Sequence, residues 1–120
     1  MPILTSLKHQ KHFDLVNKQG KKIYNQYFLL VLKHHQNKKL ESPLRINFGM
    51  KVSKKVGNAV IRNKIKRRVR HLVRETSKQS LIIDRFSELD LIIIPKKGFE
   101  KFNFALTYSC FAKSILTAPI

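Results

Sequence analysis

Residues 51–70 read KVSKKVGNAVIRNKIKRRVR, and the rest of the chain takes its meaning from this block. The block begins at the end of an alternating stretch. From Arg45 onward, Ile46, Phe48, Met50 and Val52 interleave with Asn47, Gly49, Lys51 and Ser53. Successive strand side chains point to opposite faces, so one face enters a core while the other stays polar and carries Lys51. Gly57-Asn58 breaks the strand, and Asn58 has the side chain of a helix N-cap. From Ala59 to about Thr76 the period changes. Ile61, Ile65, Val69, Leu72 and Val73 recur at helical spacing and fall on one stripe. Asn63, Lys66, Arg67, Arg70 and Arg74 take the opposite side, with Arg62, Lys64 and Arg68 on its flanks. The helix is an apolar seam below and a cationic ridge above.

Outward from this helix the elements are shorter. Ser6 to about Lys18 carries Leu7, Phe13, Leu15 and Val16 at loosely helical spacing, with Gly20 as a stop. Ile23–Lys33 reads as a strand or a pair of short strands, and His34–Pro43 as a polar loop. Ser77–Glu88 reads as a helix extension or as a packed loop. Leu89–Pro95 is apolar without alternation, which predicts a buried central strand ended by Lys96-Lys97-Gly98. Phe102–Leu116 reads as a last helix burying Phe102, Leu106, Phe111, Ile115 and Leu116. There is no internal repeat and no low-complexity linker. The order predicts one α+β domain over residues 1–120, a compact sandwich of helices on a small mixed sheet.

The chain has 25 Lys and Arg against 7 Asp and Glu, a net charge of +18 on 120 residues. A compact body with that excess repels itself unless a polyanion neutralises it. Nucleic acid is the first candidate, ahead of an anionic membrane or an acidic protein. Arginine offers a planar fork of donors to phosphate oxygens, and lysine a point charge. Holding these groups on a helix pinned to a core lowers the entropy lost on binding. A membrane-surface role fits less well, because the apolar stripe is aliphatic and the chain has no Trp.

No protein active site emerges. Asp14, Glu41, Glu75, Asp84, Glu88, Asp90 and Glu100 are scattered, without a carboxylate cluster for two metals. Asp84, Glu88 and Asp90 come closest and read as a solvated loop. His9 and His12 share a helical face but lack a third ligand, and His34-His35 fall in the expected loop. Cys110 is the single cysteine, which excludes an internal disulfide and a cysteine-based zinc site, and it reads as a small core residue. The start, MPILTSLKHQ, lacks the layout of a secretory signal, and no apolar run nears the roughly 20 residues that cross a bilayer. These features predict a cytoplasmic protein with no membrane partner.

The block from Lys51 to Arg70 resembles the signature of the bacterial ribonuclease P protein family. That signature is a Ser-Lys-Lys strand end, Gly-Asn-Ala-Val, then a helix with Arg-Asn-Arg and a basic run. Here the triplet is Arg62-Asn63-Lys64, so position 64 keeps its charge and gives up the fork. Looser similarity covers the helix around Phe13, the aromatic strands around Phe28, Lys96-Lys97-Gly98 and the last helix.

The resemblance implies an α/β sandwich with a left-handed βαβ crossover and a basic helix that faces a catalytic RNA. Asn58, Arg62, Asn63, Lys64, Lys66, Arg67 and Arg70 match the RNA-contact positions. A cleft between the first helix and the open sheet face would hold the 5′ leader of precursor tRNA, and Phe13, Lys51, Ser53 and Lys54 match it. Chemistry would rest with the RNA subunit and its Mg2+, with no metal held by the protein alone and no obligate protein partner. Where relatives place further cleft aromatics this chain has Asn17 and Val31, which implies thinner stacking, or stacking moved to Tyr27 or Phe28. Phe13 reads equally well as a plain core residue. Three other readings remain: a general RNA-binding protein such as a ribosomal one, a nuclease acting alone, and a major-groove DNA helix. The last lacks the partner helix and dimer seam it needs.

Overall fold

A computed structural model describes residues 2–7, 9–35 and 43–117. Its strands are β1 (Ile3–Ser6), β2 (Lys21–Tyr24), β3 (Phe28–His35), β4 (Arg45–Met50) and β5 (Glu88–Pro95). Its helices are α1 (Gln10–Gln19), α2 (Ala59–Thr76), α3 (Ser80–Arg85) and α4 (Phe104–Thr117), with single 3-10 turns at Lys54–Val56 and Phe99–Lys101. The strands form one mixed sheet in the order β1-β4-β5-β3-β2. β4 is parallel to both β1 and β5, while β3 is antiparallel to β5 and β2. The parallel β4–β5 pair needs a crossover, and α2 with α3 supplies it.

Alternation sets the two faces of the sheet. Phe28, Leu30, Ile46, Leu89, Leu91 and Ile93 point to the side of α2, α3 and α4, where Ile65, Val69, Leu72, Phe111 and Ile115 complete the main core. Val31 and Ile92 point the other way and pack under Val16 of α1, with Leu7, Phe13 and Ile94 at the margin. β5 is buried on both sides, as its unbroken apolar run predicts. Among the described residues, a single short helix covers the second face and leaves part of it open.

The expected strand region at residues 23–33 is a pair, joined by a turn in which Asn25 Oδ1 accepts the amides of Tyr27 (2.8 Å) and Phe28 (2.9 Å). Several boundaries differ from expectation. Ser6 ends β1 instead of starting α1, because four residues with no clear alternation carry no strand signal. β4 stops at Met50, although the Lys51 amide still reaches Ile93 O at 3.0 Å. Residues 77–88 split into α3 and a connector that buries Phe86. His34 and His35 belong to β3, and residues 36–42 of the expected loop lie outside the described residues. In the last helix, Leu106 is 60% exposed instead of buried, Cys110 is half-buried, and Phe99 enters the core instead.

Candidate nucleic-acid interface

The cationic ridge depends on how α2 begins. Asn58 is extended (φ −75°, ψ −179°), and its Oδ1 accepts the amide of Ile61 at 3.0 Å. This is the N-cap bond its side chain predicts. Gly57 before it has φ +148°, where a β-carbon would also come within 2.9 Å of Ile61 Cδ1. Only glycine makes that turn without strain. Below, Ile65, Val69, Leu72 and Val73 are fully buried and fix the rotation of the helix. Asn63, Lys64, Arg67, Arg70 and Arg74 are therefore held outward and exposed, with Arg62 and Lys66 half-buried on one shoulder. No acidic residue stands in the first turn, so the positive end of the helix dipole adds to these cations.

Arg68 belongs to the structure of this face more than to its crest. Its guanidinium donates to the main-chain carbonyls of Glu100 (3.3 Å) and Phe102, tying α2 to the segment that leads into α4. It also stands 5.7 Å from the Phe104 ring.

A groove runs on the opposite face of the sheet, beside α1. Phe13 leans from α1 onto β4 and is half-buried. A β-carbon at Gly49 would lie 2.3 Å from its Cζ, so the ring rests on bare backbone. Lys51 Nζ stands 5.9 Å from the ring centroid. Phe13 and Lys51 are thus brought together, and Ser53 and Lys54 follow as exposed residues at the 3-10 turn. Phe13 packs its flank in the small core and keeps the rest of the ring beside a cation.

The proposed substitutes for the missing aromatics are not in this groove. Phe28 is fully buried on the helix side, edge-on to Phe111, and Tyr27 packs edge-on to Phe102 against the same core. Val31 is buried under α1 and Asn17 is half-buried. Tyr24, which sequence reasoning missed, is 69% exposed. It pairs with Leu29, two residues from Val31, so the hairpin register places it on the groove face. Only that register reveals it.

At its other end the groove opens into a cavity of about 470 Å³ bordered by His9, His12, Lys33, Asn47, Glu88 and Asp90. Glu88 and Asp90 are not in a solvated loop. Both lie in β5, and Asn47 Nδ2 donates to Glu88 Oε2 and Asp90 Oδ1, each at 2.8 Å. His9 and His12 meet edge-on at 5.6 Å. Among the described residues, no group of three or more His, Cys, Asp or Glu is placed to hold a metal ion. No helix among them is long and apolar enough to cross a membrane.

These features define a class, the small and strongly basic α+β proteins with a cationic helix on one face of the sheet and an aromatic groove on the other. A model of the family Ribonuclease P matches residues 1–118. The chain belongs to the ribonuclease P protein family, and with it to the ribonucleoprotein nucleases of tRNA processing. It is 50% identical over 104 residues to the ribonuclease P protein component of Rickettsia canadensis, covering 85% of this chain and 86% of that one. The counterpart from Rickettsia bellii is 46% identical over 115 residues, covering 94% and 92%. The fold superimposes on the RNase P protein of Thermotoga maritima with a TM-score of 0.72 at 25% identity, over 96% of this chain and 98% of that one. The Staphylococcus aureus protein gives 0.68 at 25% identity, over 93% and 94%.

Proposed function

We propose that the chain is the protein subunit of a cytoplasmic ribonuclease P holoenzyme. It docks on the catalytic RNA through α2 and holds the 5′ leader of precursor tRNA in the groove beside α1. The observation that carries this reading is the placement of the two surfaces. The ridge and the Phe13–Lys51 pair occupy opposite faces of one sheet, so two RNA segments can be held at once without competing.

Asn58, Arg62, Asn63, Lys64, Lys66, Arg67 and Arg70 form the docking side, with the Asn58 carbonyl occupied as the helix cap. Each phosphate neutralised there releases counterions, which drives association in a salt-dependent way. In the groove, Phe13 is a stacking platform while Lys51, Ser53 and Lys54 follow the backbone of the strand. The carboxylates at the other end repel phosphate, which directs the leader toward Lys51. Hydrolysis belongs to Mg2+ held by the RNA. The protein draws two polyanions together and screens their repulsion, and the isolated chain has no catalytic activity of its own.

Equilibrium binding tests the division of roles. With a bacterial ribonuclease P RNA, the wild-type chain is expected to bind tightly, and the complex to prefer leader-bearing over mature tRNA. Arg67→Ala with Arg70→Ala should weaken RNA-subunit binding, and Phe13→Ala should remove only the preference for the leader. Equal affinity for precursor and mature tRNA in the wild-type complex would contradict the leader role and favour a general RNA-binding protein.

A further inference from the structure

Lys64, Arg67, Arg68 and His71 are spaced i, i+3, i+4, i+7 along α2 and form one stripe on the side of the ridge nearest α4. With Glu100 and Phe104 they border a cavity of about 460 Å³, within the ~300–1,000 Å³ typical of small-ligand clefts. Phe104 forms its centre. It packs against the main core and also lines the cavity, with the His71 ring 4.7 Å away at 33° and Tyr108 stacked behind at 6.4 Å. Arg68 is held beside it by two main-chain carbonyls, so this guanidinium loses little freedom when a ligand arrives.

We propose that this notch receives one unpaired base of the RNA subunit, stacked on Phe104 beside His71 and Arg68, a site that rests on the docking role proposed for α2. Three features favour a base over a phosphate. First, a half-buried aromatic ring at the edge of a cationic ridge does nothing for phosphate. Unstacked RNA bases, by contrast, bind to aromatic rings and arginine planes. Second, Lys64 and Arg67 are exposed at the rim, where the flanking phosphates of such a base would run. Third, Glu100 lines the otherwise cationic notch and brings an acceptor-only carboxylate to it. That group repels phosphate, and it would take a hydrogen bond from an exocyclic amino group. Adenine, guanine and cytosine carry one and uracil does not, so the notch selects an amino-bearing base.

The test uses the full chain with a bacterial ribonuclease P RNA. Affinity is measured over a salt series, and base reactivity toward dimethyl sulfate and kethoxal is mapped in the complexes. Phe104→Leu and His71→Ala are each expected to weaken binding by about tenfold. Both should leave the slope of log Kd against log salt unchanged and expose the same single unpaired base. Arg67→Ala should instead lower that slope by about one. His71 is exposed, so His71→Ala decides the matter alone if Phe104→Leu lowers the melting temperature. Wild-type binding with both variants within about twofold of it, or with no base changing reactivity, overturns the notch and leaves the docking role standing. A wild-type chain that does not bind the RNA overturns both.

Discussion

The ring of Phe13 in α1 rests on the backbone of Gly49 in β4, so closely that a β-carbon at residue 49 would stand 2.3 Å from Cζ. One residue without a side chain is thus what seats the groove's aromatic beside Lys51, whose Nζ is 5.9 Å from the ring centroid. Gly49→Ala should displace the ring and leave the main core on the other face of the sheet intact. The holoenzyme's preference for leader-bearing over mature tRNA should then fall by about tenfold. Phe13→Ala should give a similar loss, and the double variant little more than either alone. Competition binding with the two tRNAs measures this, and additive losses would show that Gly49 acts by some other route.

Asn58 caps α2 and lies on the docking side proposed for that helix. Asn58→Ala removes the bond to the Ile61 amide and should cost about 1 kcal/mol of stability, while Asn58→Ser should cost much less. Urea unfolding of the two variants gives the difference directly.

Arg68 and Arg70 are two residues apart and should behave differently. Arg70 is exposed on the crest, so Arg70→Ala should lower the salt slope of RNA binding by about one and leave the melting temperature alone. Arg68→Ala takes the donor from two carbonyls at the α2–α4 junction and should cost about 1–3 kcal/mol of stability. Calorimetry and salt-dependent binding on both variants separate these effects.

Asn47 bridges two carboxylates on neighbouring β5 positions of the same face. Hydrogen bonds to charged groups contribute about 1.5–3 kcal/mol, so Asn47→Ala should destabilise the sheet by that order. Asp90→Asn in the same chain should recover part of the loss by removing one of two like charges. Chemical denaturation of the single and double variants measures the coupling, and identical stabilities would contradict it.

The ridge was legible because one helix carries both of its signals, the buried stripe from Ile65 to Val73 and the cations opposite it. β5 was legible because a run buried on both faces has no polar residue to interrupt it after Asp90. What sequence alone missed depends on contacts between distant residues. Glu88 and Asp90 looked like loop residues until Asn47, more than forty residues earlier, supplied their donor. Arg68 looked like one more flanking cation, because the carbonyls it holds lie 32 and 34 residues away. Phe111 and Ile115 are buried in α4 as expected, but Thr107 takes the place expected of Leu106, and its hydroxyl satisfies itself on Asn103 O at 2.8 Å. The groove was half legible. Phe13 and Lys51 were identified, while Gly49 beneath the ring and Tyr24 across the sheet follow only from strand register.

The most direct measurement is cleavage of a precursor tRNA at low magnesium by a bacterial ribonuclease P RNA, with and without this chain, and with Arg62→Ala plus Arg67→Ala. The predicted result is cleavage at the mature 5′ end that needs both components, is lost in the double variant and is absent with protein alone. An RNA subunit that cleaves no faster with the chain than without it would contradict the proposed function, and cleavage by the protein alone would contradict the assignment of the chemistry to RNA.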